Sequence, residues 1–150
     1  MSNERLVSIA AGVIPELMDK PVQFIENAAS AGWKGTGVWY DPETWTDKTT
    51  IEVAKRIEDT GLEAVDMEVV RLGSGLDHGE ALIEAAIVVG AKNILAISSY
   101  DSFEQTAERL TELCLLASEG NICICLEFMR FTSIKNLSDA LTTVSMVEAD

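Results

Sequence analysis

Apolar positions along this chain change period in a regular way. Short runs rich in β-branched and apolar residues alternate with longer stretches in which apolar residues recur every three or four positions. Gly32, Gly61, Gly90 and Gly120, at intervals of 29, 29 and 30 residues, each close a helix-like stretch and open a strand-like run. A helix C-terminus is where glycine is expected, because it adopts the left-handed conformation without steric cost. The predicted strands are Leu6 to Ala10, Gly35 to Trp39, Ala64 to Val70, Asn93 to Ser98 and Ile122 to Phe128. Between them, Pro21 suits a first helical position before Ile25, Ala28 and Ala29, and Asp77 with Glu80 forms a capping-box pattern ahead of Ile83, Ala86 and Ile87. Phe103, Ala107, Leu110, Cys114 and Ala117 mark one buried helix face, and Leu137, Leu141 and Val144 begin the same pattern in a fifth helix. Five βα units in this order require parallel strands joined by right-handed crossovers.

Two architectures accommodate five such units. One is a five-stranded, flavodoxin-like doubly wound sheet, and the other is the first five-eighths of a (β/α)8 TIM barrel, whose eight units make roughly 250 residues. Strand polarity separates them. In the fifth strand Ile122, Ile124, Leu126 and Phe128 share one face, while Cys123, Cys125 and Glu127 share the other. In the third, Val65, Met67 and Val69 oppose Ala64, Asp66 and Glu68. A doubly wound sheet is covered on both faces and reads as near-continuous apolar runs, whereas a barrel turns one strand face to the lumen and does its chemistry at the C-terminal mouth. The alternating carboxylates therefore predict an α/β chain with a TIM barrel fold, truncated to about five βα units, with residues 1–150 forming one incomplete domain.

Composition sharpens this picture at several points. The chain has 150 residues, with 11 basic and 25 acidic side chains and a net charge of −14. No nucleic-acid partner is expected, since neutralising phosphates needs a basic surface. The 47% hydrophobic and 24% charged content is that of an ordinary globular domain. Three cysteines make no disulfide framework and no zinc spacing, so a reduced, cytoplasmic setting is expected. No leader and no membrane span are predicted.

Glu68 and Glu127 stand near the C-terminal ends of their strands, where they can face one cavity, and an interior carboxylate calls for a metal or a cation as compensation. Asp66, deeper in its strand, reads as a hydrogen-bonded interior acid. Arg71 is either the compensating cation, a substrate clamp or a surface arginine. His78 reads as a solvated neighbour of a helix start, and Cys123 and Cys125 as small interior packing. Trp39, Tyr40 and Trp45 crowd the loop after the second strand, either as core or rim packing or as a wall that stacks on substrate. The flavodoxin-like alternative lacks its usual functional marks: Ala10, Ala11 and Gly12 follow the first strand instead of an acidic pair, and neither a Gly-x-Gly-x-x-Gly turn nor a Walker loop is present there.

The segments from Ala64 to Leu72 (Ala-Val-Asp-Met-Glu-Val-Val-Arg-Leu), from Leu126 to Thr132 (Leu-Glu-Phe-Met-Arg-Phe-Thr) and from Ile134 to Leu141, with Gly90 to Ile94, resemble the xylose-isomerase-like TIM-barrel family of sugar phosphate isomerases and epimerases. The resemblance runs along essentially the whole chain. It implies a divalent metal such as Mg²⁺ or Mn²⁺ bound by Glu127, a carbohydrate-like substrate, and proton transfer by a carboxylate through a metal-stabilised enediolate. Glu127 and Glu68 are the implied catalytic residues. Arg71, Trp39 and Arg130 line the implied substrate pocket, Arg130 standing where many relatives carry proline. The family's other metal ligands come from strands six to eight, which have no counterpart here, so the 150 residues alone are expected to be inactive and to leave two open sheet edges, and a stable isolated chain is expected to dimerise, to rearrange toward a five-stranded sheet or to remain partly molten. A dehydratase or lyase of the same family, a phosphodiesterase-like endonuclease of that family, which the charge of −14 suits poorly, and a non-enzymatic half-barrel that binds a partner or itself are the alternatives.

Overall fold

A computed structural model describes residues 5–149. Its elements follow one another as β1 (Ser8–Ile9), α1 (Pro21–Ser30), β2 (Gly35–Trp39), α2 (Asp47–Thr60), β3 (Glu63–Leu72), α3 (Gly79–Val89), β4 (Asn93–Ser98), α4 (Phe103–Ser118), β5 (Cys123–Leu126) and α5 (Leu137–Val144). Two single turns of 3-10 helix, Ala11–Val13 and Pro15–Leu17, lie between β1 and α1. All strands pair in parallel in the order β1-β2-β3-β4-β5. That sequential order is the barrel order and excludes the flavodoxin-like sheet, in which the strand order reverses. Right-handed crossovers between successive neighbours place every helix on the same side.

Local chemistry explains the element ends. Pro21 opens α1, where its missing N–H costs nothing. Thr46, Ser102 and Asn136 cap α2, α4 and α5 by accepting from the N–H groups of Thr49, Gln105 and Asp139 at 3.2, 3.2 and 3.0 Å. The expected capping box at α3 does not form: His78 occupies the N-cap position, Asp77 accepts from the N–H of Gly79 at 3.3 Å, and Glu80 turns away to Arg109. Gly32, Gly61 and Gly90 take the expected positive φ, of 88°, 67° and 78°. At the fourth joint the left-handed residue is Asn121 (φ 54°), and Gly120 is needed for space instead, since a Cβ there would collide with Ile87.

The core lies between the sheet and the helices. Val38, Met67 and Ile94 from the strands meet Ile25, Val53, Leu82 and Leu113 from the helices, all essentially without exposure. Each such side chain contributes about 1.5–3 kcal/mol by leaving water. Strand β1 forms over only two of the five residues expected, with Leu6 and Val7 exposed. The expected faces of β3 also change. Its register against β2 skips Val65, and its register against β4 skips Val69. These two bulges put Ala64, Met67, Val70 and Leu72 in the core and leave Val65 and Val69 outside it, which reverses the expectation for Ala64, Val65 and Val69. On α5 the expected buried stripe Leu137, Leu141 and Val144 is exposed, while Ala140 and Thr143 pack inward against α4.

Candidate active site at the mouth of the sheet

On β2 the residues facing away from the helices are Gly35, Gly37 and Trp39, and the first two have no side chain because none fits. A Cβ on Gly35 would come 2.8 Å from Val65 Cγ2, and one on Gly37 would come 2.6 Å from Asp66 Oδ1 and 3.0 Å from the backbone nitrogen of Ala11. The missing side chains make room on this concave side for the extra residue of the first β3 bulge and for the carboxylate beside it.

Asp66 is half-buried, and its Oδ1 has no hydrogen-bond partner. It is therefore not the hydrogen-bonded acid expected. Desolvation holds its pKa above the ordinary aspartate value. Two residues on, Glu68 Oε1 accepts from the N–H of Ala11 at 3.2 Å, so the 3-10 turn after β1 supports this carboxylate with its backbone. Burial first, and then the neighbouring charges of Asp66 and Glu127, raise the Glu68 pKa, while the N–H groups of Ala11 and Gly12 pull it down. Glu127 follows directly on β5, its N–H donating to the Ala96 carbonyl at 2.8 Å. Glu68 and Glu127 thus share one side of the sheet, as expected, close enough for their charges to interact.

Trp39 and Arg71 come together as well. With Tyr40, Asp41, Glu43, Val69 and Leu76 they border a cavity of 260 Å³ at the C-terminal ends of β2 and β3. Arg130 lies apart on the exposed turn after β5 and does not line this cavity. Trp45 packs on Tyr40, with ring centroids 5.0 Å apart, and donates its Nε1–H to Thr50 at 2.8 Å, so it supports α2 and does not form a wall of the cavity. His78 is exposed at the start of α3, as expected. Cys123 is exposed and Cys125 half-buried, which overturns interior packing as the account of that pair. Burial raises the Cys125 pKa, helped by the Cys123 thiol and Asp66.

The loop from β3 to α3, which carries Leu76 to the cavity, is tied down by Arg109 of α4. Its guanidinium donates to both oxygens of Asp77 at 3.1 Å and to Glu80 and Glu112 at 2.9 and 2.8 Å. Sequence reasoning missed this clamp because its members lie 29 and 32 residues apart. The supporting N–H of Ala11 was equally invisible, since a backbone donor leaves no mark on side-chain identity. Asn93, whose Nδ2 donates to the Val65 carbonyl at 2.8 Å while Cys125 Sγ lies 3.8 Å from its Oδ1, joins β3 to β5 at the floor of the concave side.

The donor set does not make a metal centre by itself. Among the described residues no three histidine, cysteine, aspartate or glutamate side chains converge as a ligand group. Glu127 is one oxygen donor, and a divalent ion needs several in fixed geometry.

No family model matches the chain, and no curated protein matches it in sequence. Solved structures do match in shape. The chain is similar to the IOLI protein crystallised with a binding zinc atom (TM-score 0.75, 16% identity, 95% of this chain and 59% of that one). It is similar to an L-ribulose 3-epimerase (TM-score 0.72, 17% identity, 98% and 58%) and to a xylose isomerase-like TIM barrel/4-hydroxyphenylpyruvate dioxygenase fusion protein (TM-score 0.70, 17% identity, 95% and 25%). The architecture is thus five consecutive βα units of a TIM barrel. Its structural neighbours include xylose isomerase-like barrel proteins, sugar epimerases and an AP endonuclease of family 2 from Brucella melitensis (TM-score 0.67, 14% identity, 97% of this chain and 65% of that one), and the chain spans less than two thirds of the length of each of these.

Proposed function

We propose that these residues form the N-terminal part of a sugar or sugar-phosphate isomerase or epimerase, in which Glu68 moves a proton at a carbon next to a substrate carbonyl. The observation that carries this reading is the Glu68 carboxylate. It is half-buried, raised in pKa by burial and by Asp66, and held by the Ala11 N–H at the side of the sheet onto which Glu127 also opens. A base for proton abstraction at neutral pH needs that upward tuning and a fixed position. Arg71 and Trp39 would receive the sugar in the neighbouring cavity, the guanidinium taking an oxyanion or phosphate and the indole the apolar face of the ring. The neighbours that bear epimerase names support the substrate class. The IOLI neighbour's zinc suggests a divalent ion, but one carboxylate does not hold one, and the proton transfer assigned to Glu68 does not pass through it.

The test is deuterium wash-in. The longest natural polypeptide containing these residues is incubated in D₂O with L-ribulose or D-fructose, and label at the carbon next to the carbonyl is followed by NMR. Wild-type protein should incorporate deuterium and Glu68→Gln should lose at least about 100-fold in rate, the size of a general-base contribution. Undiminished exchange in Glu68→Gln would remove this residue from the reaction.

A further inference from the structure

Tyr40 is only 8% exposed, yet among the described residues its hydroxyl makes no hydrogen bond. A buried polar group without a partner is costly and calls for one. The residue lines a second cavity, of 460 Å³, between the start of α2 and the outer face of α3, and is the one residue this cavity shares with that of Arg71. The other hydroxyls on the wall are already engaged: Thr46 caps α2, and Thr50 accepts from the Trp45 indole. α2 and α3 are consecutive helices in contact with each other, so no further βα unit of a barrel comes between them.

We propose that this cavity binds a small alkylammonium ion, its N–H groups directed to the Tyr40 oxygen and the Glu84 carboxylate and its chain laid against Ile51 and Val88. The lining carries two carboxylates, Glu84 and Asp47, and no basic side chain, and neither carboxylate is ion-paired among the described residues. An anion is therefore disfavoured, and the positive end of α2 is already answered by the Thr46 cap and by Asp47 itself. Burial first, and then the charge of Glu84, raise the Tyr40 pKa, so the carboxylate acts on the phenol across a gap that no hydrogen bond closes. The tilted pair of Tyr40 and Trp45 rings, 5.0 Å apart, adds aromatic faces that attract a cation. Ile51 and Val88, 64% and 57% exposed, put apolar surface where two helices meet solvent, which suits an alkyl chain and not a hydrated metal ion. The volume is that of an ordinary small-molecule site.

Titration with n-hexylammonium chloride at constant ionic strength tests the proposal, with n-hexanol and hexanoate as the neutral and anionic probes of the same length. The longest natural polypeptide containing these residues is isotopically labelled, and NMR follows the Trp45 indole N–H and the Thr50 amide. Hexylammonium should saturate these signals with a Kd of about 1 mM or tighter, at least about 10-fold below that of either matched probe. Tyr40→Phe keeps the ring and should weaken binding about 5-fold, the size of one hydrogen bond, and Glu84→Gln about 10-fold. Urea unfolding checks that each variant is folded; Glu84 is exposed, so its variant keeps the test decisive even where Tyr40→Phe is unstable. Absence of saturation overturns the proposal, as does hexanol or hexanoate binding as tightly as the ammonium. So does wild-type affinity in Glu84→Gln, or a response centred on Trp39 and Arg71 instead of Trp45 and Thr50. The readout is binding without turnover, so its failure is separate from any failure of Glu68 in proton transfer.

Discussion

Asp66→Asn should make the protein more stable at neutral pH and leave it almost unchanged in acid. The carboxylate is half-buried, one of its oxygens has no partner, and desolvation raises its pKa above the model-compound value of 3.8. Folding therefore favours the protonated form. The sign follows from linkage: the protonated acid is at home in the fold below the unfolded-state value, and that advantage is lost as pH rises through the higher native value. A fully buried, unpaired ion would cost several kcal/mol. Asp66 keeps part of its water, so the penalty is about 1 kcal/mol. For a chain of this size that corresponds to about 2–4 °C in Tm. Asparagine keeps the shape and removes the charge, and it also removes one of the two carboxylates that raise the Glu68 pKa, so the pH slope should flatten by more than the share of Asp66 alone. Calorimetry or urea unfolding at about pH 4, 5.5 and 7 reads the effect. An equal gain at pH 4 and pH 7, or a loss of stability at pH 7, would refute the reasoning.

Gly37→Ala should destabilise by about 1–3 kcal/mol, because the new methyl would press on Asp66 Oδ1 and on the rigid backbone at Ala11; urea unfolding measures it. Arg109→Leu should cost about 2 kcal/mol by leaving half-buried Asp77 without its cation, and limited proteolysis should then cut first between Gly73 and His78. Leu113→Ala, at a fully buried position against Gly79, should cost about 2–5 kcal/mol in the same unfolding assay. Ser102→Ala should remove the α4 cap and cost about 1 kcal/mol, seen as a lower urea midpoint at unchanged slope.

The barrel pattern was legible because hydrophobic period and glycine spacing are local signals. β2 and β4 run from Gly35 to Trp39 and from Asn93 to Ser98 as the alternation predicts. What period alone does not carry is a change of phase. β3 reads as a simple alternation only if no residue is skipped, and the skipping of Val65 depends on the empty Gly35 opposite, 30 positions away in the chain. The α5 stripe has the spacing of a buried face, yet burial needs something to be buried against, and periodicity does not record whether a partner is present. In the candidate site, Glu68 and Glu127 were legible as charges on a face that ought to be apolar. Arg130 was named from the resemblance alone, and it is not among the residues that border the cavity.

The sequential strand order bears on how the chain is made. Partners across β1-β2, β2-β3, β3-β4 and β4-β5 are only 26 to 30 residues apart, so no strand waits for a distant segment. Loop closure over such short separations is fast and entropically modest. As synthesis proceeds, each completed βα unit presents an edge on which the next can settle, and the growing sheet lengthens from its newest strand. Assembly can therefore keep pace with the ribosome, one unit at a time.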